Sequence, residues 1–292
     1  MVAGNLLVAV SPPWYCGSMT ERNERTSAAS EAWEDVLASL CRFQTVLPEA
    51  VLVGGTASAL YAKHRLSFDH DHVLPDLRER FDAILAELEA VAGWETARVT
   101  RPVLILESLD GVETGVRQLR RALPLETTVM RVGDRDVTLP TLPETLRIKA
   151  FLCLERNATR DYLDVAALAS HMGTEAATEA LWRMDELYPQ KNGDVWAVRT
   201  QMVMQFAAPP PYDLERVDLS EYKGVQPPFD QWSHVADTCG ALSDSMLTAC
   251  VRALGDDASS DAAQARARID TWREARAMGQ TPPLAKLPGL KS

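Results

Sequence analysis

The feature that most constrains how this chain folds is a short apolar run that ends in two glycines. The run AVLVGG (residues 50–55) has the length and composition of a buried strand, and its glycines allow a tight turn into the helix-favouring stretch TASALYAKH (residues 56–64). The next segment, LSFDHDHV (residues 66–73), alternates with the period of two that is typical of a strand. Strand, helix and strand in such close succession predict a domain that mixes α-helices with a β-sheet.

The second of these strands carries two carboxylates at positions i and i+2. Alternation places Asp69, Asp71 and Ser67 on one face, and His70 and His72 on the other. Two carboxylates that point the same way can hold a hard cation through oxygen ligands, and Mg²⁺ held in this way serves phosphoryl and nucleotidyl transfer. Asp69 and Asp71 are therefore predicted to bind Mg²⁺.

Zinc is the alternative metal for this histidine-rich segment. The metallohydrolase motif H-x-H-x-D-H would need histidines at the positions of Ser67 and Asp69, or at those of Arg65 and Ser67. The five cysteines are scattered and never form C-x-x-C, so neither a structural zinc site nor a disulfide framework is indicated. Magnesium is favoured, and His70 and His72 are predicted to be packed or surface residues held by hydrogen bonds.

The glycine turn has the chemistry of an anion-binding site. Gly54 and Gly55 would let backbone N–H groups, together with the hydroxyl of Thr56, approach a phosphate at the start of a helix. The motif is not a P-loop, because no Gly-Lys-Ser/Thr follows. An ordinary strand-to-helix turn would have the same composition.

Further along, two short helices carry a lysine and an aspartate that can meet. The first opens at Thr141 with capping-box spacing, and the second spans residues 160–173 after the break NAT. Lys149 and Asp164 can then come together. A lysine there would hold phosphates, and the aspartate would orient it or accept a hydrogen bond from a nucleotide. The alternative is a surface lysine beside an i,i+4 pair of Arg160 and Asp164 with little energetic weight.

The remaining pattern completes a mixed domain followed by helices. Asp110-Gly111 between two apolar runs is a strong hairpin signal, and a second strand pair is predicted around Gly133. Amphipathic helices are predicted from Ser30 and over residues 77–92. After residue 173 the chain is predicted to be helical, apart from a Pro-rich link at 207–213 and a polar tail after about residue 279.

Composition limits where the protein acts and what it binds. No apolar run approaches the eighteen or so residues of a membrane span, and the scattered cysteines fit a reducing compartment, so a cytoplasmic protein without a membrane partner is predicted. The net charge of −11 argues against a surface that binds nucleic acid nonspecifically. Residues 98–160, however, hold eleven basic side chains against eight acidic ones, which is compatible with an RNA-facing patch or with a mixed solvated surface.

Taken together, Gly-Gly-Thr, a helix and Ser-x-Asp-x-Asp resemble the opening motif of the DNA-polymerase-β-like nucleotidyltransferases. Lys149 in RIKAFLCLER, and RDYLD at residues 160–164, resemble the third and fourth motifs of the AbiEii/AbiGii toxin family. The spacing from Lys149 to Asp164 and the sequence RNATRDYLD are most similar to those of mycobacterial nucleotidyltransferase toxins. These motifs span about residues 50–170.

The resemblance implies an α/β (α+β) nucleotidyltransferase core with a mixed sheet, followed by a helical C-terminal half. It implies Mg²⁺-dependent transfer of a nucleoside monophosphate from a triphosphate, with release of pyrophosphate. The acceptor would be the 3′ end of tRNA, and the protein would be the toxin of a toxin–antitoxin pair with an antitoxin protein as partner. Asp69, Asp71, Lys149 and Asp164 would be catalytic. The implied nucleotide-binding residues are Gly54, Gly55, Thr56, Ser67, Lys149 and Arg160.

A third carboxylate acts as general base in many enzymes of that superfamily. Here the hairpin offers Glu107 and Glu113, and alternation puts Glu113 on the face of Gly115 and Arg117. Glu113 is the candidate base, with Asp71 or water on the metal as alternatives.

Four segments follow from these assignments. Residues 1–24 are predicted to be a disordered arm or an upstream extension, and 25–140 the nucleotidyltransferase core. Residues 141–206 would complete the active site, and 207–292 would be a C-terminal helical region and tail. The last segment offers no catalytic constellation. Its aromatic residues are predicted to pack in the core, with stacking on nucleotide bases as the alternative: Tyr222, Phe229 and Trp232.

Three further alternatives stay open from sequence. His64 and Arg65 are weaker candidates for the site and can equally be rim residues. The acceptor can be a small molecule or a protein instead of tRNA. The fold can also serve as a catalytically silent module that holds a partner protein, although the joint presence of Asp69, Asp71 and Lys149 argues against it.

Overall fold

The computed structural model describes residues 19–121, 123–188, 197–220, 222–254 and 259–280. It is an α/β structure in which a mixed sheet and its covering helices precede a helical half. The helices are α1 Met19–Val46, α2 Gly54–Ala62, α3 Leu77–Glu89, α4 Leu142–Glu155, α5 Thr159–Met172, α6 Thr174–Leu181, α7 Met184–Leu187, α8 Val198–Ala207, α9 Trp232–Leu254 and α10 Ser259–Ala277. The strands are β1 Val51–Val53, β2 Asp69–Leu74, β3 Trp94–Thr100, β4 Leu104–Leu109, β5 Val112–Gln118, β6 Thr127–Val132 and β7 Arg135–Pro140.

Five strands form the main sheet in the order β1-β2-β5-β4-β3. The central pair, β2 and β5, is parallel, and the other neighbours are antiparallel. Strands β6 and β7 form a separate hairpin that turns at Gly133. The predicted mixed sheet is confirmed.

The sequence prediction matches the structure where specific turn-forming or helix-capping residues are present. Asp110 and Gly111 both have positive φ, 54° and 81°, as the predicted two-residue turn between β4 and β5 requires. Thr141 caps α4 by accepting a hydrogen bond from the backbone N–H of Glu144 at 3.3 Å. Strand β3 was not predicted; its side chains are mostly exposed, so it lacks the alternation that marks a half-buried strand.

One prediction about the N-terminal region is wrong. Helix α1 begins at Met19, so residues 19–24, assigned from sequence to a disordered arm, are helical, and the helix predicted from Ser30 starts eleven residues earlier. Residues 1–18 and 281–292, which hold the rest of the predicted arm and most of the predicted tail, lie outside the described residues.

Three apolar clusters build the core and leave one face of β2 for the site. Helices α1 and α3 cover one face of the main sheet through side chains such as Phe43, Leu77 and Ile84. A second cluster joins β1 to β7, and the largest lies among α4, α5, α6, α8, α9 and α10. Tyr61 on α2 packs against both of these, which couples the sheet to the helical half. Within the described ranges, no helix combines the length and apolar character that crossing a membrane requires.

Candidate functional site

Two carboxylates lie side by side on the open face of β2. The strand buries His70 and His72 and leaves Asp69 and Asp71 partly exposed, which confirms the predicted division of faces. The hydroxyl of Ser67 donates to Asp69 Oδ1 at 2.7 Å. Both aspartates offer hard oxygen ligands of the type that Mg²⁺ takes from proteins, where one or two carboxylates are completed by water and substrate phosphates. The donor set therefore fits Mg²⁺.

The charge of Asp69 is stabilised by its surroundings. Burial alone would raise the pKa of this carboxyl, but the Ser67 hydrogen bond lowers it. Three nearby cations act in the same direction and hold the pKa below its ordinary value: Lys223, Arg65 and Arg160. Asp69 is therefore ionised at neutral pH and ready to bind a cation.

The two glycines bring the start of α2 against these carboxylates. Gly54 has φ +78°, and a Cβ there would lie 3.2 Å from Asp71 Oδ2. A Cβ on Gly55 would lie 2.7 Å from both Arg65 Nη2 and Ser67 Oγ, so these side chains would have to shift to admit it. The helix N-terminus, with its free N–H groups, thus lies beside the carboxylates, as an anion site requires.

Thr56 has a different contact from the one predicted. The side chain is fully buried, and its hydroxyl donates to the backbone carbonyl of Asp69. It fixes the start of β2 against α2, and its predicted contact with a phosphate stays a prediction.

Beneath the turn lies a buried ion cluster centred on Asp164. Lys149 Nζ lies 2.7 Å from Asp164 Oδ2, so the structure brings together the lysine and aspartate that the sequence paired. Arg65 donates from Nε and Nη2 at 2.8 and 2.9 Å, and His64 Nε2 lies 2.8 Å from Oδ1. Burial opposes ionisation, but these cations outweigh it and hold the pKa of Asp164 well below its ordinary value.

His64 and Arg65 were underestimated from sequence. Of the two alternatives left open for them, the rim position is wrong, because both residues are buried and both contact Asp164. The only available signal was indirect, because an ion pair buried between two helices needs further hydrogen-bond donors around its carboxylate. Arg65 precedes Asp164 by 99 residues, and no local pattern reports that pairing.

Two further residues of the RDYLD motif lie around this cluster, and only Arg160 of the two was a predicted site residue. Arg160 is exposed in the first turn of α5 and acts on Asp69 through its charge. Asp161 is buried beside it, with its Oδ1 3.9 Å from Lys149 Nζ, and burial raises the pKa of its carboxyl. Neither oxygen of Asp161 has a hydrogen-bond partner among the described residues.

The strand register separates the two glutamates of the hairpin. Glu113 pairs with Asp69 across β5 and β2, so it lies on the carboxylate face, where it is exposed. Glu107 pairs with Thr114, which pairs with His70, and therefore lies on the opposite, buried face. Burial, together with the charge of Asp71, raises the pKa of Glu107 to about 9. Of the two, only Glu113 is placed to face a ligand.

The two buried histidines are structural. His70 is held by Ser39 Oγ at 3.0 Å and Thr114 Oγ1 at 2.8 Å, and His72 stacks on Phe43 with ring centroids 4.2 Å apart. Burial lowers the pKa of both imidazoles. Within the residues described, no group of three or more His, Cys, Asp or Glu side chains is arranged to hold a metal.

A segment of the C-terminal region closes against the site. The backbone N–H of Leu66 donates to the carbonyl of Lys223 at 2.8 Å, and that of Gln226 to the carbonyl of His64 at 2.7 Å. Tyr222, Phe229 and Trp232 pack against the helical core, which agrees with the predicted packing role. Sequence reasoning missed that this region borders the carboxylates.

These contacts bring together paired carboxylates, a glycine turn at a helix start, and a buried ion cluster around Asp164. No protein-family model matches the sequence. The predicted kinship with AbiEii/AbiGii toxins stays a prediction.

Among curated proteins, the chain is similar to part of a much longer transporter. It is 38% identical over 131 residues to the heme uptake protein MmpL11 of Mycobacterium tuberculosis, a match that covers 44% of this chain and 13% of the transporter. It is 32% identical over 137 residues to the mycolic acid-containing lipids exporter MmpL11 of Mycolicibacterium smegmatis, which covers 46% and 14%. The chain thus spans about an eighth of the length of these relatives.

Among solved structures, an antigenic nucleotidyltransferase-like protein from Paracoccidioides brasiliensis is similar to 55% of this chain and 89% of its own. The sequence identity is 16% and the TM-score is 0.38.

Proposed function

We propose that the protein is a nucleotidyltransferase that uses a nucleoside triphosphate and Mg²⁺. The observation that carries the proposal is the placement of Asp69 and Asp71 on one face of β2, against the glycine turn that begins α2. Carboxylates for a cation and free N–H groups for phosphates within one pocket suit a metal–triphosphate ligand.

In this proposal Asp69 and Asp71 hold Mg²⁺, which neutralises charge on the phosphates when it is bound. Ser67 orients Asp69 through its 2.7 Å hydrogen bond. Backbone N–H groups at Gly54 and Gly55 contact phosphate oxygens.

In this proposal the buried ion cluster around Asp164 positions positive charge and does not take part in the chemistry directly. Asp164 fixes Lys149 and Arg65 below the turn, so that their positive charge is held in place before the ligand arrives. Arg160, exposed at the start of α5, is placed to contact the nucleotide from solvent.

The proposed chemistry is attack on the α-phosphorus. The oxygen of an acceptor hydroxyl forms a bond to the α-phosphorus, and the bond from that phosphorus to the bridging oxygen of the β-phosphate breaks. Pyrophosphate leaves with the electron pair. The hydroxyl proton passes to a carboxylate, for which Glu113 is the candidate because it lies beside Asp69 on the exposed face.

The proposed acceptor is the 3′ end of tRNA, with the protein acting in the cytoplasm as the toxin of a toxin–antitoxin pair. The motif resemblance supports this, and the excess of basic residues between 98 and 160 is compatible with it. Small-molecule and protein acceptors are the alternatives.

The experiment is transfer of label from α-³²P triphosphates to total tRNA in the presence of Mg²⁺. The wild type is compared with Asp69→Ala and with Asp237→Asn, which removes an exposed carboxylate on α9. We expect label with the wild type and the α9 variant, and at least a hundredfold less with Asp69→Ala.

Label that persists in Asp69→Ala would contradict the assigned site. Absence of label with every triphosphate would overturn the tRNA acceptor, and the same assay on protein and small-molecule acceptors would follow. Calorimetry that detects no Mg²⁺-dependent triphosphate binding would favour the silent binding module instead.

A further inference from the structure

A tight turn in the C-terminal region places a lysine at the edge of the site. Lys223 and Gly224 both have positive φ, 47° and 64°, which reverses the chain over the loop before β2. A Cβ on Gly224 would lie 3.4 Å from a Leu66 methyl group, so the turn sits directly on that loop. Backbone hydrogen bonds join Leu66 to Lys223 and Gln226 to His64, and they hold the turn against the loop on either side.

The side chain of Lys223 lies beside the residue that precedes the first carboxylate. Its ammonium lies 5.8 Å from the ring centroid of Phe68, the residue between Ser67 and Asp69. Of the three cations that lower the pKa of Asp69, Lys223 has the largest effect. Tyr222, beside it, is half-buried and lies in the field of Arg65 and Arg160. The turn therefore borders the site.

Lys223 is also available to a ligand. Lys149 and Arg65 are both occupied by Asp164, below the pocket. Within the part of the chain that the structure describes, no carboxylate lies within ion-pair distance of Lys223 or Arg160. A cation that is held at a carboxylate site without an ion pair of its own suits an anionic ligand that arrives with a metal.

We propose that Lys223 is a nucleotide-binding residue whose ammonium contacts the phosphates of the bound triphosphate. This inference rests on the proposed function and adds a contact from a region about 150 residues after the carboxylates. The C-terminal half then supplies part of the ligand site directly, in addition to supporting the fold.

The test is calorimetric titration of the protein with each nucleoside triphosphate in Mg²⁺, without an acceptor. Lys223→Met removes the charge at similar length, and Lys223→Arg keeps a charge. Lys63→Met is the matched control, because Lys63 is an exposed lysine that also has positive φ, 52°, at the end of α2. Thermal unfolding of each variant establishes that it is folded.

We expect Lys223→Met to raise the Kd for the triphosphate about 10- to 100-fold, with a smaller effect on the matching nucleoside monophosphate. Lys223→Arg should stay within about threefold of the wild type, and Lys63→Met should be unchanged.

Equal triphosphate affinity for Lys223→Met and the wild type would overturn the inference and leave the proposed function standing. So would a loss confined to the KM for tRNA in the transfer assay, because Lys223 would then contact the acceptor. A wild type that binds no triphosphate would overturn the proposed function, and this inference with it.

Discussion

At the scale of single residues, the face of the sheet behind the two aspartates carries polar groups without charge. Burial lowers the pKa of His70 to about 4, and the pKa of His72 lies well below its ordinary value. Glu107, with a pKa of about 9, is protonated at neutral pH. An ionised Glu107 would place negative charge behind Asp71, and the proton on Glu107 avoids the repulsion between the two like charges.

Replacing Glu107 with glutamine should make stability less dependent on pH. Between the ordinary pKa of a glutamate and about 9, the folded chain binds a proton that the unfolded chain does not, so wild-type stability falls as pH rises. The advantage of Glu107→Gln over the wild type should grow with pH, by up to about 1.4 kcal/mol per unit.

Urea unfolding at about pH 5 and pH 8 measures this difference. The same measurement on Glu113→Gln, which changes a glutamate on the exposed face, is the control. A Glu107→Gln difference that is constant across the range would mean that the buried carboxyl is not protonated.

At the scale of elements, the start of α2 depends on the absence of side chains. Gly55→Ala should lower triphosphate affinity at least tenfold, because the new methyl group would displace Arg65 and Ser67, 2.7 Å away. Gly240→Ala, within α9, is the control: its new Cβ would lie 3.8 Å from Arg273 Nη2, and it should raise stability by about 0.5–1 kcal/mol. Calorimetry and urea unfolding report the two effects, and unchanged affinity in Gly55→Ala would exclude the turn from the site.

Elements that depend on local chemistry were predictable from sequence. The Asp110-Gly111 turn and the cap at Thr141 are fixed by neighbouring residues, and the alternation of β2 separated Asp69 and Asp71 from the histidines. Strand β3 could not be predicted, because an exposed edge strand has no apolar face to reveal it.

At the scale of the whole molecule, Asp164 joins the two halves of the chain. It lies on α5 in the helical half and holds His64 and Arg65 from the loop before β2. Such contacts are set by tertiary packing between residues far apart in the sequence, as is the bond between Gln226 and His64. For this reason the sequence indicated the pair Lys149–Asp164 but not the rest of the cluster.

Asp164→Asn should therefore destabilise both halves together. The substitution leaves buried cations without their counter-charge, at a cost of about 3–5 kcal/mol. Hydrogen exchange should show faster exchange in β2 and in α5 to a similar extent, whereas Asp237→Asn should change neither. Loss of protection confined to α5 would mean that the halves unfold independently.

The ties between residues 64–66 and residues 223–226 also bear on how the protein is made. A ribosome that has synthesised both aspartates still has some 150 residues to add before the turn at Lys223 can close over them. Until then the loop that carries Arg65 lacks two of its backbone bonds, and before residue 164 its carboxylate partner does not exist. The surroundings of the paired carboxylates are therefore completed late in translation, and a chain that terminates before residue 223 carries Asp69 and Asp71 without the turn that packs on the loop before them.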